Sequence, residues 1–474
     1  MSKQLDIYLR YRNLIAGGTL LPGDRLPSMR RIAESGGYGI NTVRSALALL
    51  ERDGLVEPHE RSGVFVQELR RFEAPTPPPD SYLQWNRDSG ERLDHLLERI
   101  VKRDRGFAVA APGVDLLPVG KLEKLFASLS DDWIGYAETQ GDEELRRRIS
   151  LQYEPVNGFT SIDRIMITNG ATEAISIVIG TLVAPGDIVV VESPTYYDYF
   201  RQLSAVGAVV IEIRTTLERG MDLGALAEVL STRKVRMVIV QPNVQNPTGA
   251  TMPDTEKKSL MRLLKASGCI LVQDDVYGDL SFGAERPANL SLFEDYGKLV
   301  LISSISKSLA PGLRIGWIIA SELMERLLET KVRSSLCSSR PSQMVLAKYL
   351  STPAYPAHLR KIRAALSQRL DEYMRVLTEA LPEGSEVSRP SGGCLLWVSF
   401  PREVDATEVF LQAAQEGVVA APGELFSAHP HFRNFFRINA GRALLPPCRK
   451  ELLRICAIVH RPGKARSRTT KRST

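Results

Sequence analysis

From residue 164 to residue 304 the chain alternates two patterns. Short runs of β-branched and other apolar residues recur: RIMIT (164–168), IVVVE (188–192), VVIEI (209–213), VRMVIV (235–240), CILVQ (269–273) and LVLISS (299–304). Runs this continuous predict strands buried on both faces. Between several of them lie stretches with apolar residues three and four apart, such as ATEAISIVIGTLV (171–183), which predict helices. The alternation predicts an α/β fold built on a mainly parallel sheet.

The first seventy residues follow another rhythm. Leu5, Tyr8, Leu9 and Ile15 mark one helix. Pro22-Gly23 makes a turn, Ser28 is suited to cap a short second helix, and Gly36-Gly37 ends it. Asn41 is placed to cap a third helix, with Val43, Ala46, Leu47 and Leu50 facing inward and Gly54 at its end. LVEP and GVFVQ then predict a two-stranded wing around Arg61–Gly63. APTPPPD (74–80) is a semi-rigid spacer, because proline removes amide donors and biases its predecessor toward extended backbone. ERLDHLLERIVKR (91–103) has helical spacing. The organisation expected is a small domain (1–70), a linker (71–90), a large domain (91–460) and a tail (461–474).

Composition narrows the classes. A length of 474 residues calls for two or three domains, and 43% hydrophobic residues suffice for large cores. No apolar run reaches eighteen residues, and MSKQLDIYLR lacks the apolar segment of a signal peptide, so a cytoplasmic protein without a membrane partner is expected. The five cysteines are scattered and form no CxxC pair, which reads as reduced thiols. The histidines show no metal spacing, so no metal is expected. The net charge of +6 is located in the tail RPGKARSRTTKRST, which has no acid. That tail is a solvated terminus or a nonspecific phosphate-binding arm. Residues 1–70 hold only a small excess of cations, so their chemistry rests on motif order.

That order (PGDRLPSMR, TVRSAL, GLV, GVFV) resembles the GntR-type winged helix-turn-helix. The resemblance implies binding to a double-stranded DNA operator through Arg30, Asn41, Thr42, Arg44 and, in the wing, Arg61. Cationic and short polar groups at a helix N-terminus suit phosphate and base-edge contacts. The turn SGGYGIN departs from the family's usual string and lacks a common Ser-Arg pair.

Further along, SSISKSLAPGLRIGW (303–317) places Ser304 three residues before Lys307 and Arg314 seven after it. It resembles the lysine loop of fold-type I pyridoxal 5'-phosphate (PLP) enzymes of the class I aminotransferase kind. The other motifs appear in that family's order: TNGATEA (168–174), ESPTYYDY (192–199), QPNVQNPTGA (241–250), VQDDVYGDL (272–280), SGGCLLWV (391–398), APGELFS (421–427) and NFFRINAG (434–441). The resemblance implies a large domain with a small α+β subdomain. It implies a Schiff base between Lys307 and the cofactor aldehyde, with phosphate held by Ser304, Arg314 and the amides of Ala171 and Thr172. Tyr196, or its neighbour Tyr197, would stack on the ring. Asp274, favoured over Asp275 by the D-x-x-Y spacing, would pair with the ring nitrogen. Asn246 and Tyr277 would meet the phenolic oxygen. Arg437, with Arg433 and Arg442 close by, would bind a substrate carboxylate as a fork of donors. Tyr136 would reach the phosphate of a neighbouring subunit, making a homodimer.

A GntR-like reader followed by an aminotransferase-like domain resembles the MocR subfamily of bacterial regulators. This resemblance implies a transcriptional regulator that senses an amino acid, amine or B6 vitamer. A working aminotransferase with a retained winged helix is the alternative, and so is a sensor of free PLP.

Overall fold

The computed structural model describes residues 3–16, 20–21, 23–52, 55–59, 62–67 and 106–461. Pro22, Gly54, Arg61, the proline-rich spacer, the helix expected over 91–103 and the basic tail beyond Arg461 lie outside these residues. The chain divides into two compact units.

The small unit consists of α1 (Lys3–Ala16), α2 (Met29–Gly36), α3 (Ile40–Arg52) and an antiparallel pair, β1 (Val56–His59) and β2 (Gly63–Val66). Ser28 caps α2, its hydroxyl accepting from the Arg31 amide at 3.3 Å. Gly37 closes that helix at φ +64, where a side chain would be strained. α3 begins at Ile40, so Asn41 sits in its first turn and is not the cap. Val43, Ala46, Leu47 and Leu50 point into a core with Ile7, Tyr8, Tyr11, Ile32 and Val66. That core fixes the opposite face of α3 outward.

In the large unit the described elements run α4 (Val119–Ala127), α5 (Glu143–Asn157), β3 (Ile165–Thr168), α6 (Ala171–Leu182), β4 (Ile188–Ser193), α7 (Asp198–Ala205), β5 (Val209–Thr216), β6 (Gly220–Met221), α8 (Leu223–Thr232), β7 (Val235–Val240), α9 (Asp254–Ser267), β8 (Ile270–Asp274), β9 (Leu299–Ser304) and β10 (Gly316–Ala320). Then come α10 (Met324–Ser334), α11 (Arg340–Leu350), α12 (Ala354–Ala380), β11 (Glu386–Val387), β12 (Leu395–Ser399), α13 (Ala406–Gln415), β13 (Ala421–Pro422), β14 (Phe435–Asn439) and α14 (Pro446–Val459).

The main sheet has the order β3-β10-β9-β8-β7-β4-β5-β6. Its centre, β9 through β5, is parallel, while β10 is antiparallel to both β3 and β9. Successive side chains of β4 alternate between two apolar layers: Val189 and Val191 pack with α6, and Val190 packs with α9. A second, antiparallel sheet, β11-β12-β14-β13, carries the smaller subdomain. The long helix α12 joins the two. Near its start His358 Nε2 lies 2.7 Å from the Ser308 carbonyl, and near its end Tyr373 meets Cys448.

Candidate functional site

Three parallel strands end side by side, and their C-terminal ends carry polar side chains where an open α/β sheet binds ligands. Asp274 is the last residue of β8 and is buried. Its Oδ2 accepts from the Tyr199 hydroxyl (2.6 Å) and from Gln241 Nε2 (2.8 Å), and its Oδ1 accepts from the Val276 amide (3.0 Å). Burial raises the Asp274 pKa, and these three donors oppose that rise. Gln241 directly follows β7, and its Oε1 accepts from the Asn246 amide at 3.0 Å. Asn246 Oδ1 in turn accepts from Arg437 Nη1 at 3.1 Å.

On the other flank, the N-terminus of α6 is open. Gly170 precedes it at φ +86, and no side chain caps it. Its opening amides therefore lack helical partners. Ala171 is half-buried and Thr172 exposed. Arg314, at φ +52, lies against this turn and donates Nη2 to the Asn169 carbonyl at 3.0 Å. A Cβ on Gly170 would stand 2.5 Å from Arg314 Nη2, and one on Gly316 would stand 2.6 Å from the Gly170 carbonyl carbon. Glycine at both positions is thus what lets α6 and the guanidinium come together. Ser304 ends β9; its hydroxyl donates to the Ile315 carbonyl (2.9 Å) and lies 2.8 Å from Ser306 Oγ.

Lys307 follows in a turn. Burial lowers its pKa to about 8, with Arg437 and Arg314 pushing the same way and Cys394 and Asp274 opposing. Arg437, in β14, is almost wholly buried. Its Nη2 donates to the Ala108 carbonyl, and its guanidinium lies 4.9 Å from the centre of the Phe426 ring. Its Nε is buried without a partner. Tyr277 donates its hydroxyl to the Ala110 carbonyl at 3.0 Å. Tyr196 is packed edge-on to Tyr199, with ring centres 5.6 Å apart.

Residues 108–446 match the model for aminotransferases of class I and II, and residues 3–66 match that for bacterial regulatory proteins of the gntR family. The HTH-type transcriptional regulator YdcR of Escherichia coli is 32% identical over 451 residues, covering 93% of this chain and 95% of that protein. This chain belongs to the MocR-type fusions of a gntR reader with an aminotransferase class I and II domain. The aromatic-amino-acid aminotransferase 1 of Thermococcus litoralis is 32% identical over 281 residues, 58% of this chain and 67% of that protein. The crystal structure of Pyrococcus horikoshii kynurenine aminotransferase superposes with a TM-score of 0.72 at 28% identity, covering 79% of this chain and 96% of that one.

The cofactor of this family is PLP. The residues fit it. Hydroxyls, a guanidinium and unpaired helix amides suit a phosphate. A buried carboxylate suits a ring nitrogen, and an amine with its pKa lowered to about 8 suits an aldehyde. Tyr136 is on the surface, its carbonyl accepting from Arg340 Nη1 at 3.4 Å. In the reader, Arg30, Asn41 and Arg44 are exposed and Thr42 is half-buried. Arg61 lies outside the described residues. Sequence reasoning does not single out two residues at the site, Tyr199 and Gln241. Tyr199 is hidden behind the Tyr196-Tyr197 pair, although it is one helical turn from Tyr196. Gln241 is hidden by the NPTG string that follows it, although a polar residue closing a buried strand is itself a signal.

Proposed function

We propose that this PLP-dependent DNA-binding regulator senses a small amino-group compound at Lys307. The observation that carries the reading is the convergence of Lys307, Asp274, Asn246 and Arg437 in a chain whose first residues match a gntR reader. In this reading Ser304, Arg314 and the amides of Ala171 and Thr172 hold the phosphate. Asp274 takes the ring nitrogen, Asn246 and Tyr277 the phenolic oxygen, and Tyr196 the ring face. When bound, the cofactor supplies an aldehyde that condenses reversibly with primary amines and reports the exchange in its absorption.

Arg437 takes the effector carboxylate, which competes with the Ala108 carbonyl for the Nη2 side of the fork. Residues 107–113 are tied to the same region by Tyr277 and by Asn439 Nδ2, which donates to Ala111 at 2.8 Å. In sequence this segment directly follows the stretch that joins the reader to the large unit. A carboxylate that competes for Arg437 therefore acts on the end of that connection. An effector shifts the regulator only through unequal affinity for two states, and the presence or absence of the Ala108 contact supplies the difference.

The reader approaches an operator through Arg30, Asn41, Thr42, Arg44 and Arg61. A homodimer completes the reading: Val114, Ile134 and Tyr136 are 72%, 74% and 84% exposed, large apolar side chains suited to a second copy. The same site residues are chemically sufficient for amino-group transfer, which makes turnover the second reading.

The test is the absorption spectrum of the PLP-loaded protein beside Lys307→Ala, before and after amino acids are added. A near-visible band absent from the variant and shifted by particular amino acids is expected. A wild-type protein that takes up no PLP sinks the proposal. Return of the starting spectrum on adding a 2-oxo acid distinguishes turnover from sensing alone.

A further inference from the structure

Asp274 is held by an arrangement that its role as an anion does not by itself require. Three donors point at the carboxylate: the Tyr199 hydroxyl and Gln241 Nε2 share Oδ2, and the Val276 amide takes Oδ1. Gln241 cannot turn its oxygen toward Asp274, because Oε1 is committed to the Asn246 amide. Tyr199 is fully buried in α7 and its ring is braced edge-on by Tyr196. Its hydroxyl also receives Gln241 Nε2 at 3.3 Å, which leaves its own proton for Asp274.

Hydrogen bonds to a charged acceptor strengthen the charged form, and two such donors on one oxygen make the carboxylate a weaker base than burial alone would leave it. Wherever a carboxylate and a heterocyclic nitrogen share one proton, weakening the carboxylate leaves the proton on the nitrogen. The surroundings agree. Glu192, whose Oε2 accepts from the Gln241 amide at 2.8 Å, has its pKa raised by burial to about 8, so at neutral pH it adds no strong competing charge.

We infer that Tyr199 and Gln241 are positioning residues that keep the shared proton on the PLP ring nitrogen, with Asp274 as its anionic partner. Gln241 has a second consequence. It joins Asp274 to the backbone of Asn246, whose side chain receives Arg437, so the ring-nitrogen anchor and the carboxylate fork belong to one hydrogen-bonded chain. A group arriving at Arg437 therefore acts along this chain on the residue that sets the charge of the ring. The inference rests on the PLP reading above.

The experiment uses full-length protein loaded with PLP labelled with nitrogen-15 in the ring, and reads the nitrogen resonance in wild type, Tyr199→Phe and Gln241→Leu. Wild type is expected at the protonated position, and each variant is expected to move toward the unprotonated one. Tyr373→Phe removes a different buried hydroxyl, one that meets Cys448 Sγ at 3.1 Å, and is expected to leave the resonance in place. Unmoved resonances in Tyr199→Phe and Gln241→Leu proteins that still bind PLP overturn the inference and leave the cofactor reading intact. Wild-type protein that binds no PLP overturns the reading itself. If Tyr199→Phe does not fold, Gln241→Leu alone decides, since it removes the second donor without opening a cavity behind the ring.

Discussion

At the scale of single residues, the lowered pKa of Lys307 is the feature with the clearest consequence. An amine attacks a carbonyl only in its neutral form. With a pKa of about 8 in place of 10.5, neutral amine at pH 7 is on the order of a few hundredfold more abundant. Uptake of PLP by the cofactor-free protein is expected to accelerate as pH rises toward about 8 and to level off above it. Stopped-flow absorbance measures this; acceleration that continues to pH 10 contradicts the burial argument. Lys307, Asp274, Asn246 and Arg437 are legible because each belongs to a string whose spacing fixes its neighbours. Tyr199 and Gln241 are not, since the contacts among them join β7, α7 and β8 across long stretches of sequence.

At the scale of elements, the six apolar runs all form strands, because short β-branched runs of this kind suit a strand buried on both faces. β10 is not legible in the same way. GWIIA lies at the end of the lysine loop, and its placement between β3 and β9 depends on pairings distant in sequence. That placement has a functional outcome, for it brings Gly316 against the opening turn of α6. Gly316→Ala is expected to weaken PLP binding by about tenfold or more, equivalent to about 1.4 kcal/mol, because a Cβ there meets the Gly170 and Ala171 backbone and displaces the helix amides. A PLP titration checks it; unchanged affinity contradicts the cradle. The displaced start of α3 has a local origin. The Gly39 carbonyl accepts from the Val43 amide at 3.1 Å, so the helix opens two residues earlier than a cap at Asn41 requires, leaving Asn41 within the first turn.

At the scale of the whole molecule, buried carboxylates make stability depend on pH. Glu212 in β5 accepts from Ser193 Oγ (2.6 Å) and the Ala428 amide (2.7 Å), and burial raises its pKa to about 7. Its folded-state pKa lies above its unfolded value of 4.5, so the unfolded chain binds fewer protons between those limits. The stability this group contributes is therefore fully present below about pH 4.5 and is lost as pH rises through about 7, by at most about 3 kcal/mol. Glu212→Gln is expected to flatten the decline of thermal midpoint between pH 5 and 7. An unaltered slope contradicts the assignment. The order of domains is legible from the change of rhythm at the proline-rich stretch. The proposed route from an effector to the reader is not legible, because Ala108 and Ala110 would enter it through backbone carbonyls, which carry no side-chain signature.

The central claim, that chemistry at Lys307 governs DNA binding, is tested most directly by measuring operator affinity while an amino acid that shifts the cofactor band is titrated. Wild-type affinity is predicted to change with the same midpoint as the absorbance, and Lys307→Ala to show neither change. A full spectral shift with constant operator affinity contradicts the account.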